Sequence, residues 1–133
     1  MLKSRLLFVI LLSLATISEA AADDRVDTVV TFKPGKTTYT HDGVIKGYQY
    51  PTFLIDARVG QTLKVSFKKT STCQFVVAGP PKDAVFFDGY AKDDELDEQI
   101  KIAGRYRVTV YQMRAFARRG RTCWYGIKVE LKD

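Results

Sequence analysis

The sequence predicts an all-β protein, a single antiparallel β-sandwich of about eight strands, on three observations. Apolar and polar residues alternate with period two from Arg25 onward, as in strands that keep one face in a core. Turn signals such as Pro34-Gly35, Gly79-Pro80-Pro81 and Ala103-Gly104 recur at short intervals. No long helical period separates the runs, which argues against an alternating α/β arrangement.

In chain order, residues 1–22 read as a cleavable export leader. Lys3 and Arg5 precede the apolar run from Leu6 to Leu12, and Ser18, Ala20, Ala21 and Ala22 offer cleavage after Ala20 or Ala22. That run is shorter than the roughly 20 apolar residues of a spanning helix, so no membrane insertion is expected. The domain is then residues 23–133. Its strands are expected at residues 26–33, 37–48, Phe53 to Val59, Leu63 to Phe67, 74–78, 84–89, 96–102 and 105–112. A closing run points Cys123, Tyr125, Ile127, Val129 and Leu131 inward, and Trp124, Lys128, Glu130 and Lys132 outward. Asp42-Gly43 reads as a turn, and Gly60-Gln61 as the turn of a hairpin joining the Phe53 and Leu63 runs. Residues 113–121 lack alternation and predict a short irregular or helical basic connection that Gly120 ends.

Both cysteines, Cys73 and Cys123, lie in the exported part, where an oxidising compartment predicts one disulfide; two separate buried thiols are the alternative. Charge is unevenly spread. The whole chain carries +6, and loss of Lys3, Arg5 and Glu19 with the leader leaves +5. Residues 82–99 sum to −5 and residues 101–133 to +7, so one end of the molecule is expected to be basic and to steer acidic partners.

The residue types exclude most catalysis. His41 is the only histidine, which removes the usual triads and most zinc sites, and no glycine-rich phosphate loop occurs, so no catalytic residue, metal or cofactor is expected. The acidic run Asp93 to Glu98 lacks EF-hand spacing and reads as a solvated edge. No nucleic-acid module is visible. The basic connection is more informative: if helical, it places Arg114, Arg118 and Arg121 at i, i+4 and i+7 with Arg119 beside them. Like charges at that spacing repel by a few tenths of a kcal/mol per pair. The plain reading is a solvated loop neutralised by the chain's own acidic segment; the functional one is a surface for an acidic partner.

Ala103-Gly104-Arg105-Tyr106, the strand Val108 to Gln112, and Arg114 to Arg119 together resemble the periplasmic inhibitors of i-type and g-type lysozyme. Those inhibitors carry a small-Gly-x-Tyr turn and an Arg-x-x-Ala-Arg-Arg-like segment. Ile45-Lys46-Gly47-Tyr48 and the stretch Phe53 to Leu63 are similar to the same groups, while Phe75 to Val77, Pro80, Pro81 and residues 84–89 lean toward the i-type. The resemblance implies a periplasmic, non-enzymatic β-sandwich that plugs a lysozyme's acidic active-site cleft with loops. It implies binding roles for Gly104, Arg105, Tyr106, Tyr111, Arg114, Arg118 and Arg119, with Arg105 and Tyr106 protruding beside Arg114 and Arg118; the parity that Tyr106 shares with Val108 and Val110 equally fits a place in the core. Ala103 stands where the family usually has Ser, and the Cys73 and Cys123 pair matches no family motif. A homodimer is left open. The alternative is a secreted sandwich that binds carbohydrate or surface polymer, stacking sugars on Trp124 and tyrosines.

Overall fold

The alternating runs become nine strands in a computed structural model that describes residues 24–69, 72–89 and 94–133. They are β1 (Arg25–Val29), β2 (Thr38–Lys46), β3 (Tyr50–Ala57), β4 (Thr62–Lys69), β5 (Cys73–Gly79), β6 (Ala84–Asp88), β7 (Glu95–Gln99), β8 (Gly104–Gln112) and β9 (Thr122–Lys132), with one helical turn, α1 (Arg114–Ala117), before the last. The expected leader, residues 1–22, lies outside the described residues.

One sheet has the order β1-β3-β8-β5-β6 and the other β2-β9-β4-β7. Their apolar faces form one core: Phe53, Ile55, Phe75, Val77, Val108 and Val110 from the first meet Ile45, Leu63, Val65, Phe67, Tyr125, Ile127 and Val129 from the second. Aromatic rings bridge the layers, Phe67 to Phe75 at 4.8 Å between centroids and Phe53 to Tyr125 edge-on at 6.5 Å. This is the expected sandwich. In β9 the expected faces hold as well, with Cys123, Tyr125, Ile127 and Val129 buried and Trp124 and Lys128 exposed.

Strand partners depart from expectation in three places. The Phe53 and Leu63 runs do not form a hairpin: β3 pairs with β1 and β8, whereas β4 pairs with β7 and β9. Residues 58–61 therefore carry the chain from one sheet to the other, and Val59, at 65% exposed, belongs to that connection rather than to the core. Period two identifies a buried face, but both faces of a sandwich core produce it, so it does not name the neighbouring strand. Asp42-Gly43 is not a turn either. β2 runs unbroken, with Asp42 opposite Gly126 and Gly43 opposite Tyr125. Gly43 is there because the Tyr125 ring covers it: a Cβ would lie 2.6 Å from the phenol oxygen. Finally, β1 runs parallel to β3. Parallel neighbours need a crossover, and β2 in the opposite sheet supplies it.

The disulfide between Cys73 and Cys123 joins β5 of the first sheet to β9 of the second, with a Cα separation of 5.6 Å. It closes a span of 50 residues, which on the chain-entropy model stabilises the fold by about 4 kcal/mol. Replacing both cysteines with alanine is expected to lower the unfolding free energy by about that amount in a denaturant titration. Tyr125 gives a second prediction. Burial, with a smaller contribution from Tyr39, pushes its phenol from 10.0 up to about 12. The unfolded chain then loses this proton first, so the stabilisation is complete below pH 10 and is lost as pH rises toward about 12. Phenolate absorbance should show a last-ionising component near pH 12 that Tyr125→Phe removes, and unfolding midpoints should fall across the same window.

Candidate functional site

Strand polarity decides which loops meet. β8 leads from Gly104 at one end of the sandwich to Gln112 at the other, a span of roughly 26 Å at strand rise. The end beyond Gln112 gathers two described connections, the β2–β3 turn and the β8–β9 segment that contains α1.

The β2–β3 turn is tight: Gln49 N–H donates to Lys46 O at 3.2 Å, and Lys46 N–H donates to the Gln49 side-chain oxygen at 2.9 Å. Gly47, at φ +61°, takes the left-handed backbone this turn requires, and Tyr48 stands at its tip, 52% exposed. In the other connection, Met113 O accepts from Phe116 and Ala117 N–H and Arg114 O accepts from Arg118 N–H, giving a single helical turn. Ala117 is its buried contact, while Arg114, Arg118 and Arg119 are exposed. Gly120 ends the turn at φ +65°. Arg114 and Arg118 thus keep the expected i, i+4 relation. Arg121 does not join them: it lies past Gly120 with its guanidinium 5.6 Å from the Phe116 ring centroid.

A buried glutamine fastens the two connections together. Gln112, 5% exposed, donates its side-chain amide to Arg121 O, and the same carbonyl accepts Gly47 N–H at 2.8 Å. Among the described residues, the Gln112 side-chain oxygen has no hydrogen-bond partner. Beneath them lies the Cys73–Cys123 bridge, since Cys73 is opposite Gln112 and Cys123 follows the basic segment by two residues. Tyr111 is half-buried at this end, on the outward face of β8; burial raises its phenol pKa, and the charge of Asp88 adds to the effect.

Gly104, Arg105 and Tyr106 sit at the opposite end, so the expected grouping beside Arg114 and Arg118 does not form. Tyr106 does not protrude. It is 5% exposed, its hydroxyl donates to Ile102 O at 2.7 Å, and its ring covers Gly79, where a Cβ would lie 2.4 Å from a ring carbon. Burial, then Glu98, raises its pKa. Gly104, at φ +154°, leaves room for Pro80, whose ring would lie 2.8 Å from a Cβ. The Gly-x-Tyr pattern in this chain therefore closes the β7–β8 turn onto the core.

Charge separates the two ends further. Arg105 makes a two-pronged bond to Asp56 at 2.8 and 3.0 Å, which holds the Asp56 carboxyl below its usual range, and Arg107 pairs with Asp83 at 2.7 Å. Asp94 pairs with Lys69 and Asp97 with Lys64, so the acidic stretch is partly neutralised by β4; Asp93 lies outside the described residues. Among the described residues, Arg114, Arg118 and Arg119 have no acidic partner within ion-pair distance. Nor do the described residues contain a group of three or more His, Cys, Asp or Glu side chains that could hold a metal ion. Tyr48 was not singled out as a binding residue in the sequence. Its signal was the glycine before it, which marks a tip rather than a strand interior.

No family model matches the chain. It is similar to an inhibitor of g-type lysozyme from Escherichia coli (strain K12), at 29% identity over 93% of each chain. A crystal structure of a periplasmic inhibitor of g-type lysozyme from Aeromonas hydrophila superposes with a TM-score of 0.74 at 28% identity, covering 84% of this chain and all of that one. Another, from Salmonella Typhimurium, gives 0.60 at 25% identity over 80% and 97%. All three are described as inhibitors and all are of the g-type, not the i-type toward which residues 75–89 leaned.

The fastening predicts how variants at this end separate. Gln112→Ala should cost about 1–3 kcal/mol and speed hydrogen exchange of the Gly47 amide. Arg114→Ala and Arg118→Ala should leave stability within about 0.5 kcal/mol, because neither side chain is buried.

Proposed function

We propose that this protein is a periplasmic, non-enzymatic inhibitor of g-type lysozyme that occludes the enzyme's cleft with its basic end. The likeness to inhibitors of g-type lysozyme along 93% of the chain carries the reading of the target. The finer reading, which residues make the contact, is supported by the geometry of Tyr48, Tyr111, Arg114, Arg118 and Arg119.

A glycosidase requires a carboxylic acid to protonate the glycosidic oxygen, and the groove around it is shaped for sugar and rich in acceptors. Arg114 and Arg118 spend little on ion pairs within their own domain, so their guanidinium groups remain available to such carboxylates. Arginine offers two parallel N–H bonds to a carboxylate, and bonds of this kind exceed neutral ones in strength. Tyr48, on a rigid turn beside them, covers apolar surface while presenting a hydroxyl. An interface of about 1,600 Å² built around such Arg and Tyr anchors is sufficient for tight binding. Arg105, paired with Asp56 at the far end, has a smaller part in this arrangement, and the protein's own Asp56 supplies the reason.

The test mixes the purified domain with g-type, i-type and c-type lysozymes and follows lysis of cell-wall suspensions. Inhibition of the g-type enzyme is expected, weakening as salt is added. Arg114→Ala, Arg118→Ala and Tyr48→Ala should each raise the inhibition constant by about tenfold or more, the scale of a lost interface anchor. Arg105→Ala should change it by less than about threefold. Undiminished lysis by the g-type enzyme overturns the target; loss of inhibition in Arg105→Ala alone relocates the contact to the other end.

A further inference from the structure

We propose that the outer face of the second sheet carries a saccharide site of its own, which takes an uncharged glycan strand. β9 runs through the middle of that face with Trp124, Gly126 and Lys128 pointing outward. Gly126 makes a trough there, about 550 Å³ in volume, between longer neighbours. It lies opposite Asp42 on one side and Lys68 on the other, and a Cβ at this position would stand 2.7 Å from an Asp42 carboxylate oxygen. The missing side chain is what lets the Asp42 carboxylate lie across the trough floor.

The polar groups around the trough are of both signs and are not spent on one another. Lys64 and Lys132 on this sheet have ion pairs, with Asp97 and Glu130, and of the trough's lining Asp94 is paired with Lys69. Asp42, Glu95, Lys68 and Lys128, which line the trough, have none among the described residues. Beside them Trp124 is 44% exposed, and its cross-strand neighbour Val44 is 61% exposed. A polyanion selects cations of one sign, and a protein anchor selects an apolar centre with a polar rim. A sugar ring presents hydroxyl donors and acceptors at its edge and C–H groups on its face. Carboxylates and ammonium groups lining a shallow trough, with an indole two residues along β9 from its floor, match that combination. The basic end is not part of the site, and the proposal does not rest on lysozyme inhibition.

Trp124 is the only tryptophan in the chain, so its emission reports the site directly. The full domain, without any lysozyme, is titrated with uncharged β-linked N-acetylglucosamine oligomers. A saturable shift in emission that lengthens in affinity from dimer to tetramer is expected. By calorimetry, Asp42→Ala and Lys128→Ala should each weaken binding about tenfold, as loss of a charge-assisted bond does, with the thermal midpoint unchanged. Gly126→Ser should block the trough; if that variant fails to fold, Trp124→Ala gives the same loss without filling space. Emission unchanged up to millimolar oligomer overturns the proposal. So does a result in which these four substitutions reduce lysozyme inhibition but leave oligomer binding as it was, since the trough is then part of a protein interface.

Discussion

The basic end depends on one backbone carbonyl. Arg121 O accepts from the Gly47 amide and from the Gln112 side chain, and those two bonds turn connections from different strand pairs into a single surface. They extend the β2–β9 ladder, in which Lys46 lies opposite Thr122, and hold the turn bearing Tyr48 against the segment bearing Arg114 and Arg118. A single hydrogen bond contributes modestly, about 0.5–1.5 kcal/mol net, but a buried one with no alternative partner is costly to lose. Gln112 is committed to this place: it is 5% exposed and its side-chain amide donates to Arg121 O. The disulfide below adds a covalent restraint between the sheets at the same level.

This rigidity answers a physical question posed by the charges. Arginines one helical turn apart repel slightly, and a four-residue helix has little stability of its own. The segment holds its shape because Ala117 is buried, Arg121 rests on Phe116, and its last carbonyls are bonded. Preorganisation of this kind removes part of the ordering cost of association. The opposite end has the same residue type in a different state. Arg105 and Arg107 are matched by Asp56 and Asp83, whereas Arg114, Arg118 and Arg119 have no acidic partner among the described residues.

Much of the architecture was legible in the residues, and the parts that were not have a common cause. Parity along β9 and β4 identified which side chains enter the core, since a period-two pattern is fixed by local geometry. Parity carries no label for the partner strand, which is why the β3–β4 connection read as a hairpin and is in fact a passage between sheets. Asp42-Gly43 has turn composition, yet the tertiary demand of the Tyr125 ring for an empty position overrides it. Of the candidate residues, Arg114, Arg118 and Arg119 stand out in the sequence by charge and spacing. Their separation from Gly104, Arg105 and Tyr106 was not, because nearness in sequence across a nine-residue strand means distance in space. Tyr48 required the register of β2 against β9 to be known before it could be placed beside them.

The parallel pairing of β1 has a practical side. Arg25 lies opposite Tyr50, and Tyr50 N–H bonds to Asp24 O, so the chain enters the domain at the end where Tyr48 and the free arginines are. Asp133 sits at the far end, held by Arg58 at 3.2 Å. Anything fused ahead of Asp24, whether a purification handle or a surface tether, is attached at the doorway of the basic end, whereas a fusion after Asp133 leaves that doorway clear.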